Sequence, residues 1–122
     1  MERVLLIEGH ALFRQGLALL LKWRLDMESV EAGSLAEGRR VLSDLKCTSD
    51  LAIIALDLPD GDGSELIEQL HKTKPDIPVL AFTANQNLLQ SVRAQRAGAD
   101  TVLAKKVPVE QIVSTVEQIV RS

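Results

Sequence analysis

The feature that most constrains this chain is an alternation, repeated five times. A short apolar run is followed by a segment whose apolar residues recur every three or four positions. Val4 to Ile7 and Leu51 to Leu56 are runs of strand length, as expected of strands covered on both faces. Pro78 to Phe82 reads the same way, and Met27 to Ala32 and Thr101 to Ala104 are shorter or weaker candidates. Between them, Ala11 to Arg24 carries Phe13, Leu17, Leu20 and Leu21 at helical spacing, with Leu19 to Trp23 expected mostly in the core. Ser34-Leu35-Ala36-Glu37 reads as a capping box opening a helix to about Leu45. Pro59-Asp60-Gly61-Asp62-Gly63 is a turn cluster, after which Ser64 is expected to cap a helix bearing Leu66, Ile67 and Leu70. Asn85 to Ala97 is a fourth helix closed by Gly98, and Pro108 opens a last one with Ile112, Val113, Val116, Ile119 and Val120 on one stripe.

Strands joined by helical crossovers lie parallel, with right-handed connections. The expected fold is therefore α/β: one open five-stranded parallel sheet in flavodoxin-like order 2-1-3-4-5, with five helices on both faces. In such sheets ligands sit beyond the carboxyl ends of the strands. That singles out Glu8 to His10, Ala55 to Pro59, Thr83-Ala84 and Lys105-Lys106. With 122 residues and no internal repeat or linker, residues 1–122 read as a single domain.

Composition removes several classes of function. Lys plus Arg is 14 against 17 for Asp plus Glu, a net charge of −3 that offers no broad attraction to a phosphate backbone. Phe13, Phe82 and Trp23 are too few aromatics for a base-stacking platform. Cys47 is the only cysteine, so an internal disulfide and a cysteine-based zinc cluster are excluded and a reducing cytoplasm is expected. It reads as a small residue near a helix end. No apolar run is long enough to cross a membrane, and the start of the chain has no signal-peptide pattern. His10 reads as a loop residue beside the first helix and His71 as an exposed helical one; neither belongs to a metal-ligand cluster, so no metal site is expected. Asp60 to Gly63 lacks the distal glutamate of a calcium loop.

The strand-end segments VLLIEGHALFRQGLALLL, LAIIALDLPDGDG, IPVLAFTA and GADTVLAKKV together resemble a response-regulator receiver domain, with a chemotaxis-regulator-like fold and features of the LuxR or nitrate-response branch. The resemblance covers nearly the whole chain. It implies two-component signal transduction: an aspartate ending the third strand accepts a phosphoryl group from a histidine kinase. Two acids after the first strand help hold Mg²⁺, and a Thr and a Lys after later strands bind the phosphoryl oxygens.

Carried over position by position, Thr83 and Lys105 match and Glu8 keeps the first acid, but Gly9 stands where the second acid belongs. In the family, Pro lies four residues after the phosphoacceptor and the final loop Gly eight after it. Counting back from Pro59 and from Gly63 reaches Ala55 both times. Val102 occupies the position of the switch aromatic. The expectation is a degenerate pseudo-receiver with a vestigial pocket of Glu8, Gly9, Ala55, Asp57, Thr83 and Lys105. Lys105 would pair directly with Glu8 or Asp57, Mg²⁺ binding would be lost or weak, and no other cofactor is implied. Such a module is not an enzyme and works through protein contacts, with a histidine kinase, another regulator or a second copy as partner. The face made by the fourth helix, fifth strand and fifth helix (Leu88, Val92, Gln95) is a candidate surface. DNA would be reached only through a further output domain. Two alternatives remain open: phosphorylation at Asp57, two residues further along and facing the same way on a strand, and small-molecule sensing in the altered pocket.

Overall fold

The computed structural model describes residues 2–44, 49–84 and 88–121. Cys47, the expected end of the second helix at Leu45 and the expected start of the fourth at Asn85 lie outside the described residues. The main sheet contains β1 (Glu2–Ile7), β2 (Met27–Ala32), β3 (Leu51–Ala55), β6 (Val79–Thr83) and β7 (Thr101–Ala104), all parallel, in order β2-β1-β3-β6-β7. This is the expected flavodoxin-like order. Between β3 and β6, the two-residue strands β4 (Asp57–Leu58) and β5 (Gly61–Asp62) pair antiparallel across the turn cluster. The helices are α1 (Ala11–Leu25), α2 (Leu35–Ser43), α3 (Ser64–Thr73), α4 (Leu88–Ala97) and α5 (Val109–Arg121).

Alternation along the strands builds two cores. Val4 and Leu6 of β1, Leu51 and Ile53 of β3, and Leu80 and Phe82 of β6 face α1 and α5, where they meet Leu17, Leu21, Ile112 and Val116. Leu5, Ile7, Ala52, Ile54, Val79 and Ala81 face the other way, against Leu35 and Leu42 of α2, Leu66, Ile67 and Leu70 of α3, and Ala94 of α4. Burial on both faces is why β1, β3 and β6 read as continuous apolar runs.

Three local expectations are corrected. β3 stops at Ala55 and the chain bends at Leu56, so Asp57 is not a continuation of that strand. Ser64 is the first helical residue of α3 rather than its cap; Gly63 is the N-cap, and Asp62 Oδ1 accepts from Ser64 N–H at 2.9 Å. Leu19 and Trp23 are not core: they are 72% and 82% exposed. Helix α1 is apolar on more sides than the sheet can cover, and the sheet takes the side bearing Leu17 and Leu21.

The other ends follow the expected chemistry. The Ser34 hydroxyl accepts from Glu37 N–H at 3.1 Å. Gly98 has φ of +123°, a conformation that disfavours a side chain, and a Cβ there would meet His71 at 2.8 Å.

Candidate functional site at the carboxyl edge of the sheet

The sheet register fixes which residues become neighbours. Ile7 pairs with Ile54, Ala55 with Phe82 and Thr83 with Ala104. The residues that follow these strands, Glu8 and Lys105, therefore emerge along one edge with Ala55 and Thr83. Glu8 N–H donates to Ala32 O at 3.0 Å and Lys105 N–H to Thr83 O at 3.0 Å, which extends the ladders one residue further. Of the six expected pocket residues, Glu8, Ala55 and Thr83 are buried.

Glu8 is the electrostatic centre of this edge. Its residue is only 2% exposed, and its Oε1 accepts from Lys105 Nζ in a direct ion pair and from His10 N–H at 3.2 Å. Its carbonyl accepts from Arg14 Nη1 at 2.8 Å. Oε2 is buried without a hydrogen-bond partner among the described residues. Lys105 Nζ also lies 5.2 Å from the centroid of the Phe13 ring, and Phe13 meets Phe82 edge-on at 5.7 Å. A cation held between a carboxylate and a ring face, over a second aromatic, is fixed from several directions. The Phe13 contact escaped sequence reading because the ring had a sufficient explanation as core. Its only signal was helical placement one turn beyond the strand end.

Gly9 is enclosed by the turn cluster: a Cβ there would stand 2.7 Å from Pro59 Cδ. Asp57 does not join Glu8 and Lys105. It is exposed, and its carboxylate faces α4, where Oδ2 accepts from Ala84 N–H at 3.3 Å and Oδ1 from Gln90 Nε2 at 3.0 Å. Val102 is half-buried on β7, beside a surface hollow of about 420 Å³ that Thr83, Ser91 and Val107 also line. His10 caps α1, its Nδ1 accepting from Phe13 N–H at 3.2 Å, and His71 is exposed.

Asp60 carries a role that sequence reading missed. Its two carboxylate oxygens accept from Leu35 N–H at 2.7 Å and Ala36 N–H at 3.0 Å, at the start of α2. Those backbone bonds hold the Asp60 carboxyl below the usual carboxylate range. In sequence the residue sits inside a turn, and nothing local links it to a helix some 25 positions earlier.

A family model for the response regulator receiver domain matches residues 4–117. The chain belongs to this family. The receiver is 30% identical over 123 residues to the virulence transcriptional regulatory protein PhoP of Salmonella typhimurium, covering 99% of this chain and 53% of that protein. It thus spans about half the length of that relative. Among solved structures it resembles a CheY-like receiver domain protein from Methanospirillum hungatei, with a TM-score of 0.91, 24% identity and coverage of 99% and 94% of the two chains. A LuxR-family two-component response regulator from Aurantimonas is 26% identical with a TM-score of 0.86, over 98% of this chain and 84% of that one. These likenesses and the sheet order make the chain a receiver domain of a two-component response regulator, a signalling module with a CheY-like fold. Among the described residues, no helix is long and apolar enough to cross a membrane, and no group of three or more His, Cys, Asp or Glu side chains could hold a metal ion.

Proposed function

We propose that this receiver has left phosphoryl transfer behind and signals as a degenerate module through protein contacts. The observation that carries the reading is the methyl side chain of Ala55 at the buried carboxyl end of β3, four residues before Pro59 and eight before Gly63. A methyl group has no oxygen to attack phosphorus.

The residues around it do not fit a resident Mg²⁺. A hard cation takes several oxygen ligands. Here Ala55 and Gly9 supply no side-chain oxygen, and Pro59 fills the space in which a side chain at position 9 would start. Glu8 Oε1 is held by Lys105, which leaves Oε2 as the Glu8 oxygen without a hydrogen-bond partner, and it is buried. The lysine ammonium thus takes the place of a mobile cation, and the local charge is balanced by a covalently attached group.

The consequence for signalling is a receiver fixed in one electrostatic state. Its output then depends on which protein surface it presents. The face of α4, β7 and α5, with Leu88 and Gln95 exposed, suits a histidine kinase or another regulator. We assign the chain as one receiver unit acting in the cytoplasm, with DNA reached only through an attached output domain.

Incubation with acetyl phosphate or phosphoramidate and Mg²⁺, followed by intact mass, tests this. The expected result is no adduct. A stable gain of about 80 Da, one phosphoryl group, that disappears in Asp57→Asn would replace the proposal with phosphorylation at Asp57. A melting temperature raised by a small metabolite in a thermal-shift screen would instead favour sensing by the altered pocket.

A further inference from the structure

Helix α1 leaves a continuous apolar stripe on the outside of the molecule. Leu12 is 77% exposed, Leu19 72% and Trp23 82%, and Gly16 lies between them at helical spacing. The stripe runs on to Val109 at the start of α5, which is 52% exposed. An apolar hollow of about 320 Å³ lies between the two helices, lined by Leu12, Phe13, Gly16, Leu20 and Val109 among others. The charged groups beside the stripe are already engaged within the chain. Lys22 pairs with Glu28 and Asp26, and Arg24 pairs through Nη1 and Nη2 with the two carboxylate oxygens of Glu110. Both cations are accordingly held above their ordinary pKa values by these carboxylates.

We propose that this stripe is the interface of a symmetric homodimer, formed by antiparallel packing of α1 against α1 of a second copy. The order of side chains is self-complementary. A two-fold axis midway between Gly16 and Leu19 sets Trp23 of one copy against Leu12 of the other, and Leu19 against Gly16. Each pair is then repeated by symmetry, as an isologous contact requires. A Cβ at Gly16 would meet nothing within 4 Å, so the helix is notched there. The notch receives Leu19 of the second copy, and the indole lies over the hollow beside it.

Area supports one copy binding another. The exposed parts of the four side chains come to on the order of 500 Å² per copy, given about 150–250 Å² for a whole aromatic side chain and somewhat less for Leu or Val. Two copies remove on the order of 1,000 Å² in total, the lower limit of a specific interface, and the expected affinity is micromolar or weaker. The proposal does not depend on whether Ala55 or Asp57 accepts phosphate, so it stands or falls separately from the functional reading above.

Sedimentation velocity from about 1 µM to about 500 µM, spanning the affinity expected for such an area, tests it on the unmodified chain. The expected result is a concentration-dependent doubling of mass. The emission of Trp23, the only tryptophan, should move to shorter wavelength in step with it. Trp23→Gln and Gly16→Gln should both remain monomeric over the whole range. Gly16→Gln should melt no lower than the parent, because the position is open and Gln is the better helix former. Leu88→Gln on α4 should leave the dimer intact. A chain that stays monomeric at about 500 µM would overturn the proposal. So would a dimer that survives Trp23→Gln, or one that dissociates in Leu88→Gln.

Discussion

The pair Glu8 and Lys105 shows why a buried charge is best understood through its partner. Glu8 has almost no access to water, so removing the ammonium leaves a buried carboxylate whose remaining hydrogen bond comes from His10 N–H. Lys105→Met is expected to lower the unfolding free energy by about 2–4 kcal/mol, discounted because the lysine side chain is 21% exposed. Glu8→Gln added to it should restore much of the loss, and urea denaturation of the two single variants and the double variant measures the coupling. Asp60 gives a second expectation, this one in pH. Its folded pKa lies below its unfolded value, so its stabilisation is fully present above the unfolded pKa of about 4. That stabilisation is lost as pH falls through the lowered folded value. The stability difference between the parent and Asp60→Asn should therefore be largest near neutral pH and shrink toward pH 2, as read by urea midpoints. The sequence made Glu8, Thr83 and Lys105 visible because each sits at the end of an apolar run. It hid Asp60, whose partners Leu35 and Ala36 are near only after folding, and it left open an Asp57 facing the same way as Ala55, because a bend at Leu56 leaves no signature in residue type.

At the scale of elements, α2 illustrates capping shared between near and distant groups. Ser34 accepts from Glu37 N–H while Asp60 accepts from Leu35 and Ala36, so the first three free N–H groups all have acceptors. Ser34→Ala should cost about 1 kcal/mol by thermal or chemical unfolding. A loss near zero would mean that Asp60 or water takes over. The strands and α5 were legible for different reasons. β1 and β3 are covered on both faces and so are apolar throughout, whereas α5 is covered on one side and shows a clean stripe of Ile112, Val113 and Val116. Helix α1 was legible as a helix but not in its rotation. Leucines surround it, and periodicity alone does not say whether Leu21 or Leu19 meets the sheet.

For the whole molecule, the sheet divides the apolar interior into two compartments, one on each face. Ile53 packs on the side of α1 and α5, and Ile67 on the side of α2 and α3. Ile53→Val and Ile67→Val should each cost about 0.5–1.5 kcal/mol, and the double variant should match the sum of the two within about 0.5 kcal/mol. A larger departure, measured by urea unfolding, would mean that strain crosses the sheet. The contact between Pro59 and Gly9 works over a longer time. Any lineage carrying it that acquires a side chain at position 9 must first pass through an overpacked, less stable chain unless Pro59 has already changed. Steric crowding then acts as an evolutionary ratchet, making the arrival of an acid at that position a matter of the order in which substitutions occur.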